Sequence, residues 1–294
     1  MVKARAFEYA RAASLQDAFT AFARASGDCC YLAGGQSLIP SLSLRLQAPS
    51  VLIDISGIEE MRGIGIDDGL LRIGALTRHA EMLTSPEIAR HAPLLRLAAP
   101  HVAHPAIRNK GTIGGSLALA DPAAEFPAVV LALDAELEIA APAGRRRVKA
   151  DGFFTGLYET GLEPGEILTA VLVPPFGARD RCAFDELARR RGDYAIVGAG
   201  VQGRFRGQEV EALSVAFLSM GAAPLRARSA EAAALGRPLT PTVIAEAQAA
   251  LEQDVEPDED IQTIKAMRLH LARVLLGRLL GRLATGAQGE GGHA

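Results

Sequence analysis

The sequence predicts an α+β chain of two domains, and three observations lead there. Its 294 residues are about twice the usual domain size of ~150 residues. Thirty glycines and sixteen prolines cut the chain into segments too short for a helical bundle. Runs rich in Val, Ile and Leu, of strand length, recur at 51–55, 70–76, 136–140, 166–173, 195–205 and 210–219. Helices are expected where caps stand. Asp121-Pro122 offers an N-cap and a first-turn proline to a helix over 123–132, and Thr240-Pro241 does the same for 242–252. Ile261, Ile264, Leu271, Val274, Leu275 and Leu279 fit one face of a long C-terminal helix. Its other face carries Lys265, Arg268, Arg273, Arg278 and Arg282, which read as a solvated or subunit-contact row.

The double proline of Pro174-Pro175-Phe176-Gly177 ends a strand and sets the domains at 1–175 and 176–285. A discontinuity at Ser56-Gly57 divides the first into lobes 1–56 and 57–175, and the tail 286–294 reads as disordered. The acidic stretch 252–260 reads as a solvated loop. Hydrophobic residues make up 49% and mean hydropathy is +0.16, ample for a packed core. With 31 basic against 34 acidic side chains the net charge is −3, which lacks the basic excess a nucleic-acid binder needs. No apolar run reaches the ~18–20 residues of a membrane span, and the first residues carry no secretory h-region, so a cytoplasmic protein is expected. Cys29, Cys30 and Cys182 are too few for a disulfide framework or a metal centre, and Cys29-Cys30 read as small apolar residues ending a helix. His79, His91, His101 and His104 show no ligand spacing.

Two glycine-rich turns carry the chemistry. In Leu32-Ala33-Gly34-Gly35-Gln36-Ser37-Leu38 an apolar lead-in meets a double glycine, then Leu38, Leu42 and Leu46 follow at helical spacing. Glycines let a backbone approach a ligand, and successive N–H groups with a helix dipole favour an anion. No lysine follows, so the phosphate-loop NTPase pattern is absent. Thr112-Ile113-Gly114-Gly115-Ser116 repeats the theme before Asp121-Pro122-Ala123-Ala124-Glu125. Two amide-lined turns from different lobes could hold a diphosphate between them, with backbone dipoles replacing basic side chains.

AGGQSL and IRNKGTIGGSLALADPAAEFP resemble the two FAD-binding motifs of the medium, flavin-carrying subunit of molybdenum hydroxylases, the carbon monoxide dehydrogenase and xanthine dehydrogenase family. The resemblance continues through EPGEILTAVLVP and FDELARRRGDYAIVGAGV and covers nearly the whole chain. It implies a two-lobed FAD-binding domain of the vanillyl-alcohol oxidase type, followed by a small α+β domain with an antiparallel sheet and helices. It also implies that Leu32, Ala33, Gly34, Gly35, Gln36, Ser37 and Leu38 wrap the diphosphate, with Thr112, Ile113, Gly114, Gly115 and Ser116 closing on the phosphates and ribityl chain. Relatives often have asparagine at Ser116. Glu125 matches a carboxylate on the ribose or adenosine side, Leu168 an apolar residue packed near the cofactor, and Tyr194 an aromatic position near the isoalloxazine. Asp185 stands where some relatives have a lysine near the flavin, and Val102 where some have an aromatic contact. Gln36 replaces a histidine common in relatives, and no attachment residue remains in that loop, so the FAD is expected to be non-covalent.

The family passes electrons from a molybdenum–pterin centre on a large subunit, through 2Fe-2S clusters on a small subunit, to FAD and an external acceptor. The resemblance implies that both groups sit on partner subunits, the whole forming a dimer of heterotrimers. Three cysteines, too few for the eight thiolates of two such clusters, agree with that division. A standalone FAD oxidoreductase of the enolpyruvyl-glucosamine reductase and vanillyl-alcohol oxidase superfamily is the alternative, and it would need its own acid or base beside the flavin.

Overall fold

The computed structural model describes residues 3–25, 27–190, 192–257, 259 and 263–286. Three sheets follow one another along the chain. The first is built from β1 (Glu8–Arg11), β2 (Cys29–Leu32) and β3 (Val51–Asp54), all parallel, in the order β1-β3-β2. Its crossovers are α1 (Leu15–Arg24) and α2 (Leu38–Ser43). A capping box starts α1: Ser14 Oγ accepts from the Asp17 amide at 3.1 Å, and Asp17 Oδ2 accepts from the Ala13 amide. Cys29 and Cys30 open β2 rather than end a helix: they pair in parallel register with Val51 and Leu52 of β3. The helix after the first glycine turn is shorter than the Leu38/Leu42/Leu46 spacing predicts: it stops at Ser43, and Leu46 lies outside it, 75% exposed.

The second sheet is antiparallel, ordered β4 (Ile64–Asp67), β5 (Leu70–Gly74), β10 (Ile167–Val173), β6 (Glu136–Ala141), β7 (Gly144–Lys149), with a small hairpin of β8 (Phe154–Gly156) and β9 (Glu159–Thr160) beside it. Between β5 and β6 run α3 (Glu81–Thr84), α4 (Pro86–His91), α5 (Pro93–Ala98), α6 (Pro105–Arg108), α7 (Ile113–Leu119) and α8 (Glu125–Ala132). Proline at the first turn and a Ser85 cap define α4. The Asp121-Pro122 unit does not cap a helix at 123. Asp121 Oδ1 accepts from the Ala123 amide in a tight turn, and α8 begins at Glu125. From Phe126 to Ala132 every residue of α8 is buried, so the helix is apolar all round and sits inside the molecule.

The third sheet, β11 (Asp180–Leu187), β12 (Val197–Arg206), β13 (Glu209–Leu218) and β14 (Leu225–Arg226), is antiparallel in chain order. One face joins the first core through Cys182, Phe184, Ala216 and Leu218, against α5 and α8. The other packs on α9 (Arg228–Ala234), α10 (Pro241–Ala250) and α11 (Lys265–Thr285). Thr240 Oγ1 caps α10 by accepting from Val243. On α11 the buried stripe is Ala272, Leu275, Leu276, Leu279, Leu280 and Leu283, while Val274 is half-buried and Ile264 exposed. Its basic row is not uniformly solvated. Arg268 is buried, Arg273 pairs with Glu252, and Arg282 reaches Asp185. The acidic stretch likewise has a task at Asp254, whose carboxylate accepts from the Ser229 and Ala230 amides at the start of α9. Ile261 and the tail beyond Gly286 lie outside the described residues. No helix among the described residues is long and apolar enough to cross a membrane.

Candidate functional site

The two glycine turns meet. A Cβ placed on Gly34 would stand 2.3 Å from the Lys110 carbonyl oxygen and 2.8 Å from Gly111 Cα, so only glycine lets the first turn lie against the second. Beside the contact opens a cleft of about 280 Å³ lined by Leu32, Ala33, Gly34, Gly35, Arg62, Arg78, Lys110 and Thr112, among others. That volume, at the lower end of ligand pockets, suits a diphosphate with part of its sugars.

The turns differ in what they offer. Among the described residues nothing accepts from the amides of Gly34, Gly35, Gln36 or Ser37. Gly35 takes φ +73°, and Gln36 Nε2 donates back to the Gly34 carbonyl at 3.0 Å, holding the turn open. The second turn is in fact the first turn of α7, and its amides are spent on the fold. Ile113 donates to the Thr77 carbonyl, Gly114 to that of Ala75, Gly115 to Thr112 Oγ1 at 3.1 Å, and Ser116 to the Thr112 carbonyl. Gly114 is there for packing: a Cβ on it would lie 2.5 Å from Ala75 Cβ. The picture of two matching amide cradles is therefore corrected to one cradle, Gly34–Ser37, facing a helix N-terminus. The expectation that backbone dipoles replace basic side chains is corrected too, because Arg62, Arg78 and Lys110 all border the cleft. Arg62 donates to the Ser56 carbonyl, whereas Arg78 and Lys110 are exposed at the rim.

Under the second turn lies His79, buried, its ring edge-on to Phe126 at 5.0 Å between centroids. A Cβ on Gly111 would come 3.1 Å from His79 Cε1. Neither ring nitrogen finds a partner in good geometry among the described residues, and burial pushes the imidazole down to about 4 against the opposing pull of the Thr112 backbone, with a lesser lowering from Arg108. The unfolded chain binds this proton near 6.5 and the folded chain only near 4, so stability is intact above pH 6.5 and is lost as pH falls towards 4. His79→Phe is expected to flatten a loss of about 3 kcal/mol across that window, read as urea midpoints between those pH values.

Of the remaining sequence-predicted residues, Glu125 and Tyr194 lie beyond the C-terminal end of α7. Glu125 opens α8, four residues after Asp121 and within electrostatic reach of Glu186 and Tyr194. Burial foremost, then the carboxylates of Glu186 and Asp121, push it up to about 8 against the opposing pull of Arg108. Tyr194, 66% exposed, and Tyr158, 56% exposed, both turn towards Asp121. Partial burial and that carboxylate push the Tyr194 phenol up to about 12. The Tyr194 loop is seated by Gly192, at φ +85°, against Ala103 and His104. Val102 is buried, its carbonyl accepting from Arg108 at 2.9 Å, and Leu168 is a buried residue of β10 at a register shift against β6. Asp185 is not part of this group: it faces α11, where Arg282 binds it at 2.7 Å. Alternation along β11 gives the inner face to Glu186 instead, whose Oε1 lies 3.3 Å from His101 Nδ1. Glu186, Arg62, Arg78 and Lys110 were missed because only tertiary pairing brings them here. Among the described residues no cluster suited to a metal ion occurs.

Residues 5–176 match the family model of the FAD binding domain in molybdopterin dehydrogenase, and 182–283 match that of the carbon monoxide dehydrogenase flavoprotein C-terminal domain. The chain belongs to this flavoprotein family. It is 36% identical to a 6-hydroxypseudooxynicotine dehydrogenase complex subunit alpha of Paenarthrobacter nicotinovorans, over 96% of this chain and 95% of that one. A solved carbon monoxide dehydrogenase of Hydrogenophaga pseudoflava, lacking the Mo-pyranopterin moiety of its cofactor, contains a chain that superposes with a TM-score of 0.94 at 36% identity, covering 96% of this chain and 99% of that one. Quinoline 2-oxidoreductase from Pseudomonas putida 86 gives 0.91 at 38%, covering 98% and 100%. The flavoprotein thus has the family's α+β architecture, an FAD-binding domain followed by the C-terminal domain.

Proposed function

We propose that this flavoprotein is the FAD-carrying medium subunit of a heteromeric molybdenum hydroxylase. The observation that carries the reading is the cleft itself: four unpartnered amides of Gly34–Ser37 opposite the cationic rim of Arg78 and Lys110, on a chain matched almost end to end by medium chains. Gly34, Gly35, Gln36 and Ser37 donate to one side of the diphosphate, with Leu32, Ala33 and Leu38 shaping the turn. Arg78, Lys110 and the positive end of α7, formed by Thr112, Ile113, Gly114, Gly115 and Ser116, neutralise the other. Val102, Leu168 and Tyr194 bound the ring end, and Glu125 belongs with them rather than with the adenosine. Bound there non-covalently, FAD supplies two-electron redox chemistry that no side chain of this protein has.

Electrons come from 2Fe-2S clusters on a small partner, fed by a molybdenum–pterin large subunit, and leave to an external acceptor. The assembly is a dimer of heterotrimers in the cytoplasm, and the domains are 1–175, with lobes 1–56 and 57–175, and 176–285. Support comes from the relatives' names, which include medium chains and complex subunits. Fluorescence quenching of FAD by the purified chain tests the site. Replacing both Arg78 and Lys110 by Ala is expected to weaken binding about tenfold or more and to flatten its salt dependence. A chain that takes up no FAD, or that oxidises a small substrate unaided, overturns the proposal.

A further inference from the structure

Tyr194 belongs to the C-terminal domain, yet it needs a seat on the FAD-binding domain to meet a flavin ring. It stands in the connection from β11 to β12, closed at its base by the Ile196 amide on the Leu187 carbonyl at 2.7 Å. At 66% exposed, it is not fixed by its own packing. Gly192, two residues before it, lies against the other domain. At its φ of +85° a Cβ would stand 2.6 Å from His104 Cε1 and 3.2 Å from the Ala103 carbonyl oxygen. Ala103 and His104 are thus the ledge beneath this loop.

The ledge is built around one cation. Arg108, the last residue of α6, turns back and sends Nη1 to the carbonyls of Ala103 at 2.8 Å, Val102 at 2.9 Å and Pro100 at 3.4 Å. These carbonyls lie past the end of α5 at Ala98, so the guanidinium is more than a cap on that helix. Gathered oxygens repel one another, and Ala103 takes the left-handed φ of +40°, which a residue with a side chain adopts only under constraint. A guanidinium between the oxygens offsets both costs, since its planar fork serves several acceptors at once.

The same short helix also braces the diphosphate cleft. The Ile107 carbonyl accepts from Lys110 at 3.1 Å and from Gly111 at 2.7 Å, and the Arg108 carbonyl accepts from Ala80 at 3.1 Å. Lys110–Gly111 is the backbone on which Gly34 rests. Helix α6, four residues and about 6 Å long, therefore joins the wall of the cleft to the ledge under the Tyr194 loop. We propose that Arg108 is a positioning residue for the flavin ring: by holding the carbonyls of Pro100, Val102 and Ala103 it seats the Gly192 loop and sets Tyr194 in register with the diphosphate cleft. It acts on the ring through Tyr194 and not by contact. The inference rests on the FAD site proposed above.

A tyrosine in contact with an isoalloxazine quenches its fluorescence by giving an electron to the excited ring. Emission per bound FAD therefore reads the seat of Tyr194 in the full-length, FAD-loaded chain. Arg108→Met, which keeps the stem and removes the donors, is expected to raise that emission severalfold, and Tyr194→Ala to raise it at least as far. The double variant should emit no more than Tyr194→Ala, because the two changes act on one contact. A residue that only stabilises the fold would lower the amount of FAD held and leave the emission per FAD alone. Unchanged emission in Arg108→Met, or a double variant that adds the two effects, overturns the proposal. Should Arg108→Met fail to fold, Gly192→Ala disturbs the same seat from the other domain and must give the same rise; no rise there overturns the proposal as well. Failure of the wild-type chain to take up FAD overturns the site instead, and the seat is then read without the cofactor. The chain has no tryptophan, so Tyr194→Trp reports from the loop alone. Adding Arg108→Met should lower its fluorescence anisotropy and open it to acrylamide quenching, with far-ultraviolet circular dichroism unchanged. An anisotropy that Arg108→Met does not move would show that the arginine does not hold the loop.

Discussion

Gly34→Ala is expected to abolish measurable FAD binding, a loss of at least about 100-fold in affinity, or ~3 kcal/mol, while the protein still folds. The new methyl would sit 2.3 Å from the Lys110 carbonyl oxygen and 2.8 Å from Gly111 Cα. Both are backbone atoms, so no rotamer change can absorb the overlap, and one turn must back away from the other. The Lys110–Gly111 backbone is tied down: Lys110 and Gly111 both donate to the Ile107 carbonyl, and the Gly111 carbonyl accepts from His79. The first turn has no comparable ties, since its amides are unpartnered, so it is the part that shifts. The displaced amides then no longer converge on the cleft, and donors carried beyond ~3.2 Å from a phosphate oxygen lose their charge-assisted hydrogen bonds. Gly65→Ala is the control, because a Cβ there meets nothing within 4 Å. Fluorescence titration of FAD into both variants reads the difference. Near-normal binding by Gly34→Ala would mean that the amide cradle is not what holds the diphosphate.

The contrast between the turns shows where sequence reasoning reached its limit. Glycine pairs flag a backbone that must come close to something, and both pairs do: Gly34 approaches Lys110, and Gly114 approaches Ala75. Which of them leaves its amides free depends on the carbonyls of Ala75 and Thr77, more than thirty residues upstream, which no local pattern reveals. The strands at 51, 70, 136, 167, 197 and 209 were legible because Val, Ile and Leu crowd them and glycine or proline bounds them. The face of a strand was harder. A shift of one residue along β11 exchanges Asp185, bound to Arg282 outside, for Glu186, which faces His101 inside, and a motif match cannot tell the two apart. Cys29-Cys30 were misplaced because a short strand with only four residues carries too little periodicity to separate it from a helix end. The start of α1 went unread although its Ser14-x-x-Asp17 box was a usable signal. Arg62, Arg78 and Lys110 were individually unremarkable surface cations; their meeting at one cleft is a tertiary fact.

The largest loss of stability is expected at Arg226, on the short edge strand β14. Its side chain is only 5% exposed, and it binds four groups at once. Nε and Nη2 hold the two oxygens of Glu231 at 2.6 and 3.0 Å, Nη1 reaches Asp134 at 2.6 Å and the Leu131 carbonyl at 3.1 Å, and Nη2 also donates to Ser214 Oγ at 2.9 Å. Leu131 and Asp134 lie at the C-terminal end of α8, where the Leu131 carbonyl, already taking the Asp134 amide, accepts from the arginine as well and the cation opposes the helix dipole. One guanidinium thus pins the third sheet to the buried helix whose other end carries Glu125. Arg226→Met would fill much of the volume but leave Glu231, 11% exposed, with only the Val215 amide and a distant Arg228 Nη1 at 3.9 Å against its charge among the described residues. The expected cost is about 3–5 kcal/mol, read from urea unfolding. Adding Glu231→Gln should recover about 1–2 kcal/mol, because the amide oxygen can still accept from the Val215 amide at 2.8 Å while the weakly paired charge is gone. A double variant no more stable than the single one would mean that the lost ties to Asp134 and Leu131, and not the weakly paired charge of Glu231, make Arg226 indispensable. The same variants separate stability from binding: α8 loosened at its C-terminal end should weaken FAD retention less than Gly34→Ala does, because the diphosphate cleft is lined by β2, α2 and the segments just after β5 and before α7 rather than by β14.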